Sequence, residues 1–260
     1  MSTPVTESAS PAAHAAGLTL VLPGKSTSAG EGVTWISQGW KLFTKAPLMW
    51  IVAILILFVL AIVVNLVPLI GGLVFQLLNP VFAAGFVVAC RSLEQGGEFE
   101  LEHLFAGFKT NLANLVIVGL IVMVGWIVII VVVAAVTGFG IIVAVMSGDT
   151  ENVLPAIMGS GMSIVIGVLV MLALMVPLLM AYWFAPVLVI MHNVGPGAAL
   201  KESFMACLRN ILPFLVYGIV MTVLAVIAAI PFGLGFLVWV PLVIASTYAA
   251  YREIFTAEPL

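Results

Sequence analysis

Few side chains in this 260-residue sequence are equipped for chemistry, and the most suggestive of them are amides. Gln76 and Asn79 stand three residues apart, which places them on one face of a helix, and Asn79 directly precedes Pro80. Proline removes a backbone donor and frees a nearby carbonyl, so the amides either satisfy local groups or offer a polar contact inside an apolar segment. His192, beside Asn193, is the third candidate for a polar site, with hydrogen bonding at a boundary as its simplest role. Zinc needs three or four ligands, whereas His103, Cys90 and Cys207 are scattered singles. General acid–base work needs titratable groups converging on one substrate. The clustered carboxylates here, Glu94, Glu98, Glu100 and Glu102, fall in one stretch bent at Gly96-Gly97 and read as solvated. Glu102 also suits the start of a following helix through its dipole. No phosphate-binding loop, nucleophile elbow or dinucleotide fingerprint occurs. The expectation is therefore no catalytic residue, no cofactor, no metal and no enzymatic activity, with Gln76, Asn79 and His192 as the polar site.

The elements that must carry those residues follow from composition. Hydrophobic residues make up 64% of the chain and charged residues 7%, against roughly 45–50% and about 25% in soluble domains. Eight basic and eleven acidic side chains cannot cover a soluble surface of this size. A soluble enzyme, a nucleic-acid binder and a disordered chain are excluded, and a polytopic helical membrane protein is left. A transmembrane barrel would alternate apolar and polar residues, which these runs do not.

Four stretches lack any charged residue: 46–90, 110–148, 152–200 and 210–251. A ~30 Å hydrocarbon core takes about 20 helical residues. The first and fourth stretches thus hold two crossings each, reversing at Asn65–Gly72 and Pro231–Gly235. In the second, Thr137-Gly138-Phe139-Gly140 reads as a break that leaves 141–146 as an interfacial or re-entrant piece. In the third, Gly161–Asn193 reads as one long helix kinked at Pro177 and Pro186. The spacing predicts six crossings, near 47–65, 72–92, 112–136, 161–191, 211–230 and 235–252. Gly159, Ser163 and Gly167, and likewise Gly85 and Ala89, repeat at four-residue spacing and read as packing seams, with a homodimer face as the alternative.

All eight bases then fall on one side: Lys25, Lys41, Lys45, Arg91, Lys109, Lys201, Arg209 and Arg252. The positive-inside rule puts that side and both termini in the cytoplasm, where Cys90 and Cys207 stay reduced. Residues 1–34, rich in Ser, Thr, Pro, Ala and Gly, read as a disordered cytoplasmic tail. Residues 35–255 form the six-helix domain and 256–260 a short C-terminal tail.

The hairpins look repeated three times. Trp40 and Lys45, Leu104 and Lys109, and Phe204 and Arg209 each place an apolar or aromatic residue five positions before a base, ahead of a hairpin. These short segments suit interfacial helices, with rings at headgroup level and bases reaching water. Pro80 precedes Arg91 by the same eleven residues that separate Pro241 from Arg252. The fold class expected is all-α: six transmembrane helices as three repeated hairpins with short interfacial helices.

The runs Leu104-Phe105-Ala106-Gly107-Phe108-Lys109 and Ala185-Pro186 through Ala199-Leu200-Lys201-Glu202-Ser203 resemble those of uncharacterised bacterial six-helix inner-membrane proteins. Those are distantly similar to the membrane domain of some glycerophosphodiester phosphodiesterases. The resemblance spans about residues 35–255 and implies a multi-pass protein of the bacterial inner membrane. No soluble phosphodiesterase domain accompanies it, so that chemistry does not carry over. The function expected is non-catalytic, in envelope or lipid homeostasis or partner binding, with membrane lipids, a membrane-protein partner or a second copy as partners and no nucleic acid. The alternative is a small transporter or channel for a neutral or lipid-like substrate, since transporters place sites at proline-broken helices.

Overall fold

The computed structural model describes residues 17–67, 70–146, 161–258 and 260, and every regular element among them is helical. Helix α1 spans Glu31–Lys45, α2 Pro47–Asn65 and α3 Ile70–Glu94. A 3₁₀ turn at Leu101–Phe105 leads into α4, Ala106–Lys109, and then α5, Leu112–Met146. Helices α6, Gly161–Trp183, and α7, Ala185–His192, are followed by α8, Pro196–Arg209, α9, Ile211–Ala229, and α10, Phe236–Phe255. The chain forms two compact units, one of residues up to Gly119 with Met180–Leu260, the other of Leu120–Leu179.

Prolines open several of these helices. Pro47, Pro186 and Pro196 occupy first-turn positions, where the missing N–H would have had no partner. Asn193 closes α7 in the left-handed conformation (φ 52°), which its short polar side chain tolerates. Helix α1 is amphipathic: Gly32, Trp35, Gly39, Leu42 and Phe43 recur at helical spacing and are buried. Five helical stretches are long and apolar enough to cross a membrane: Pro47–Asn65, Ile70–Glu94, Leu112–Gly138, Gly161–His192 and Ile211–Ala229. Helix α10 has 20 residues, but its second half carries Ser246, Thr247, Tyr248, Tyr251, Arg252 and Glu253, and most of that half is buried.

In the first unit the core lies in the second halves of the proline-bearing helices. From Pro80 to Leu93, nearly every face of α3 is buried; the same holds for Phe184–Met191 and, on α10, for most of Pro241–Phe255. Trp50, fully buried, stacks on Phe86 at 5.7 Å and meets Phe99 edge-on at 4.9 Å. Each of these helices meets a short one at a close approach. A Cβ on Gly85 of α3 would lie 2.4 Å from the Leu104 carbonyl, and one on Gly39 of α1 would lie 2.6 Å from the Ser246 backbone nitrogen of α10. Only glycine admits such backbone contact. Gly85 and fully buried Ala89 are thus enclosed within the unit and offer no face to a second copy.

The third approach explains a break. Pro186 cannot continue the helical ladder, and the chain departs from helix at Phe184. The buried Ser203 hydroxyl of α8 steps in: it accepts from the Phe184 N–H at 2.9 Å and donates to the Met180 carbonyl at 2.7 Å. Those are the two groups a continuous helix would have joined directly. The expected kink at Pro186 is thus a division into two helices, while Pro177 stays inside α6.

Three sequence expectations are corrected. Helix α5 runs unbroken for 35 residues through Thr137–Gly140, so 141–146 is a helical continuation and no separate re-entrant piece. Thr137 donates its hydroxyl to the Val133 carbonyl at 2.8 Å and so spends its polarity within the helix, and an internal glycine costs only about 1 kcal/mol. The expected tail also ends earlier. Residues 17–30 lie along the end of α10, where Val21 and Lys25 donate backbone N–H groups to Phe255 and Ile254 at 2.8 Å each, and α1 begins at Glu31, ahead of Trp35. Asn210 fastens the same segment by accepting from Thr27 N–H at 2.8 Å and donating to the Lys25 carbonyl at 2.9 Å. Thr256, placed in the expected C-terminal tail, is buried and donates to the Arg252 carbonyl at 2.5 Å. Residues 1–16, Pro68 and Leu69 of the first turn, the 147–152 connection and Gly159 lie outside the described residues.

The second unit pairs the later part of α5 with the earlier part of α6. Gly125 admits Leu178 and Gly167 admits Thr137 between the two helices, so Gly167 serves as a packing position, as its spacing suggests. Elsewhere the surface of α6 is apolar and open, with Met162, Val165, Val168 and Leu169 all exposed.

Candidate functional site

Helix α3 leaves the core through Arg91 and ends at Glu94; α10 leaves it through Tyr248, Tyr251 and Arg252. These ends meet in the first unit around a single carboxylate. Arg91 Nη1 donates to Glu94 Oε2 at 2.8 Å, and the Arg252 guanidinium pairs with Oε1 of the same residue. The Tyr248 hydroxyl donates to Glu94 as well. Both arginines and the tyrosine are buried, and the Glu94 side chain is 18% exposed. Arg252 also donates to the Thr256 hydroxyl at 3.3 Å and to the Glu258 carbonyl at 2.9 Å. Glu94, read from sequence as one of a solvated run, is instead the hub of a buried ion cluster joining two helices far apart in sequence.

Helix α1 runs past the same place. Lys45 Nζ donates to the Leu93 carbonyl at 2.7 Å, and Lys41 is exposed one turn earlier. Gln38 Nε2 donates to the Leu260 carbonyl at 3.1 Å, while its Oε1 is buried with no partner. Gln38, Lys41, Leu42, Lys45, Glu94 and Leu260 line a cavity of about 320 Å³, at the small end of the ~300–1,000 Å³ typical of ligand sites.

The three residues singled out from sequence do not come together. Asn79 accepts from the Tyr182 hydroxyl, so that α3 and α6 satisfy one another there. Gln76 is half-buried and makes no such bond among the described residues. His192 lies ten residues beyond Tyr182, roughly 15 Å of helical rise, and its Nε2 is 2.6 Å from the Tyr251 hydroxyl. It therefore neighbours the Glu94 cluster through Tyr251, apart from the amide pair. No group of three His, Cys, Asp or Glu side chains that could hold a metal occurs among the described residues.

Titratable groups elsewhere in the first unit are chemically quiet. Burial pushes the Cys207 thiol of α8 up to about 12, away from thiolate. In the 3₁₀ turn, Lys109 holds the Glu102 carboxyl below its usual range through a hydrogen bond and its charge. Burial lowers His103, against the opposing pull of Glu100 and Glu102, and His103 Nδ1 accepts the Glu100 N–H at 3.2 Å.

Long apolar helices with open apolar surfaces, and charge confined to their ends, to the short helices and to the connections, define an integral, multi-pass helical membrane protein. Over 220 residues the chain is 33% identical to a probable inner membrane protein of Burkholderia thailandensis, a match covering 80% of this chain and 77% of that protein. The chain belongs to that family of probable inner membrane proteins. No family model matches it, and neither does any solved structure.

Proposed function

We propose that the chain crosses the inner membrane six times as three hairpins, with both termini cytoplasmic. We infer that it acts without catalysis in envelope or lipid homeostasis, by binding lipids, a membrane partner or a second copy. Helix α10 supplies the sixth crossing: its first half is apolar and its second half is sheltered by α1. Three recurring contacts support the repeat, namely α3 against the 3₁₀ turn, α6–α7 against α8, and α10 against α1. In the first two a long helix meets the short helix that opens the next hairpin, and in the third the last helix meets the first short one.

The observation that carries the non-catalytic reading is how polar groups are spent. Glu94 is engaged by two arginines and a tyrosine, and Asn79 by Tyr182, so neither stands ready for a substrate. Outward-facing Leu55, Phe58, Ile62, Leu215, Ile219 and Val223 on α2 and α9 leave lipid as the natural neighbour. Two measurements test the reading together: mass spectrometry of what the purified chain retains from membranes, and the envelope integrity of a deletion strain. Retained lipid or protein with a weakened envelope is the expected result. A chain that retains nothing, from a strain with a normal envelope, overturns it. The transporter alternative would be favoured by liposome flux that Gln76→Leu with Asn79→Leu abolishes.

A further inference from the structure

The cavity beside Glu94 has an unusual charge balance. Lys41 and Lys45 stand four apart on α1 and so project on the same side. Neither forms an ion pair among the described residues. Glu94, the carboxylate lining the cavity, is already shared between Arg91 and Arg252, and Glu258, further along the chain, acts on Arg252. Two ammonium groups therefore line a small cavity whose one acidic side chain is already engaged. The Lys45 ammonium is held in place by its bond to the Leu93 carbonyl. Gln38 beside them is held by its bond to the Leu260 carbonyl, and its Oε1 is buried without a donor among the described residues. The cavity thus asks for an anion.

Its position narrows the source. Lys45 sits two residues before Pro47 opens α2, whose Leu48, Leu55 and Phe58 are exposed, and Trp40 of α1 is exposed next to Lys41. Aromatic and basic residues in this order mark the headgroup level of a bilayer. We propose that this cavity binds the headgroup of an anionic phospholipid, for which phosphatidylglycerol is the probe. Lys41 and Lys45 hold the phosphate, and the acyl chains lie against α2. The assignment rests on the membrane-lipid reading above and makes it specific.

The test titrates the full-length purified chain, in a neutral detergent, with short-chain phosphatidylglycerol, short-chain phosphatidylcholine or glycerol 3-phosphate, followed by native mass spectrometry. Saturable binding of phosphatidylglycerol is expected, weakened about tenfold by Lys41→Glu and also by Lys45→Gln, with Lys201→Gln on α8 binding as wild type does. Lys41→Glu removes no side-chain hydrogen bond or ion pair among the described residues, and an unchanged melting temperature without lipid confirms that its fold is intact. Equal binding of phosphatidylcholine, or no effect of Lys41→Glu, overturns the assignment. Equal binding of glycerol 3-phosphate overturns the lipid as the source. A chain that retains membrane lipid yet shows no preference for phosphatidylglycerol sinks this site alone and leaves the broader reading standing.

Discussion

Helix α3 and the stretch formed by α6 and α7 are built on different rules. In the most apolar stretch of Ile70–Glu94, 56% of residues are buried inside the chain; in that of Gly161–His192, 6% are. The buried region, from Pro80 to Leu93 on α3 and Pro241 to Phe255 on α10, is held by close backbone approaches, stacked rings and one shared carboxylate. The open region, which includes the surface of α6, is specified by little more than being apolar. Among lipid tails a leucine gains nothing by moving from lipid to protein, so helices there associate only through small residues and polar contacts. Hence sequence detail matters in the buried region far more than in the open one.

The largest expected effect breaks the cluster at the tightly built end. Glu94→Gln leaves Arg91 and Arg252 close together without their counter-charge, and removing one partner of a buried ion pair costs about 3–5 kcal/mol. A thermal melt in detergent should show a clear drop in midpoint. Swapping both arginines for methionine along with Glu94→Gln should recover much of that loss, because apolar groups of similar volume replace buried ion clusters at little net cost.

Next in size comes a pair of glycines. Gly39→Val forces a side chain into the Ser246 backbone and should cost about 1–3 kcal/mol by overpacking. Gly218→Val on α9, where nothing lies within 4 Å of the added carbon, should change stability by less than about 0.5 kcal/mol. Equal losses at the two positions would erase the contrast between the regions.

A smaller, local effect concerns acid. Burial favours neutral His103, and its Nδ1 accepts a backbone N–H only while unprotonated. The folded turn is therefore favoured above the imidazole's ordinary value of about 6.5, and that support is lost as pH falls below it. Hydrogen exchange should show amides of 101–109 losing protection between about pH 7.5 and 5. His103→Gln should flatten that dependence. Amides in 84–90 of α3 should stay protected throughout.

Much of the architecture was legible in the residues. The charge-free runs, Pro47 and the turn at Pro231–Gly235 mark helices that the structure contains, because length and apolarity decide a membrane helix almost alone. Contacts between distant segments were not legible. Glu94 looked like the first of four solvated acids, since its partner Arg252 comes from a helix far along the chain. The equal eleven-residue spacing from Pro80 to Arg91 and from Pro241 to Arg252 was the one signal that the two arginines are related. Residues 17–30 looked tail-like because backbone hydrogen bonds to Ile254 and Phe255 leave no mark in composition. Thr137–Gly140 looked like a break because a threonine that bonds its own helix cannot be told by type from one that ends it. Asn79 stands out in the sequence as polar within an apolar segment, but its partner Tyr182 lies on another helix, and nothing in spacing alone pairs them.

The orientation of the basic end decides whether the Glu94 cluster and the lysine cavity belong to the cytoplasmic face. Single cysteines at Gln95 and at Leu66, both exposed, in a chain whose Cys90 and Cys207 are replaced by alanine, measure it with a membrane-impermeant maleimide. In intact cells with a permeabilised outer membrane, the account predicts labelling at position 66 and protection at 95, with 95 becoming reactive once the inner membrane is opened. Labelling at 95 in sealed cells, or at neither position until lysis, would contradict it.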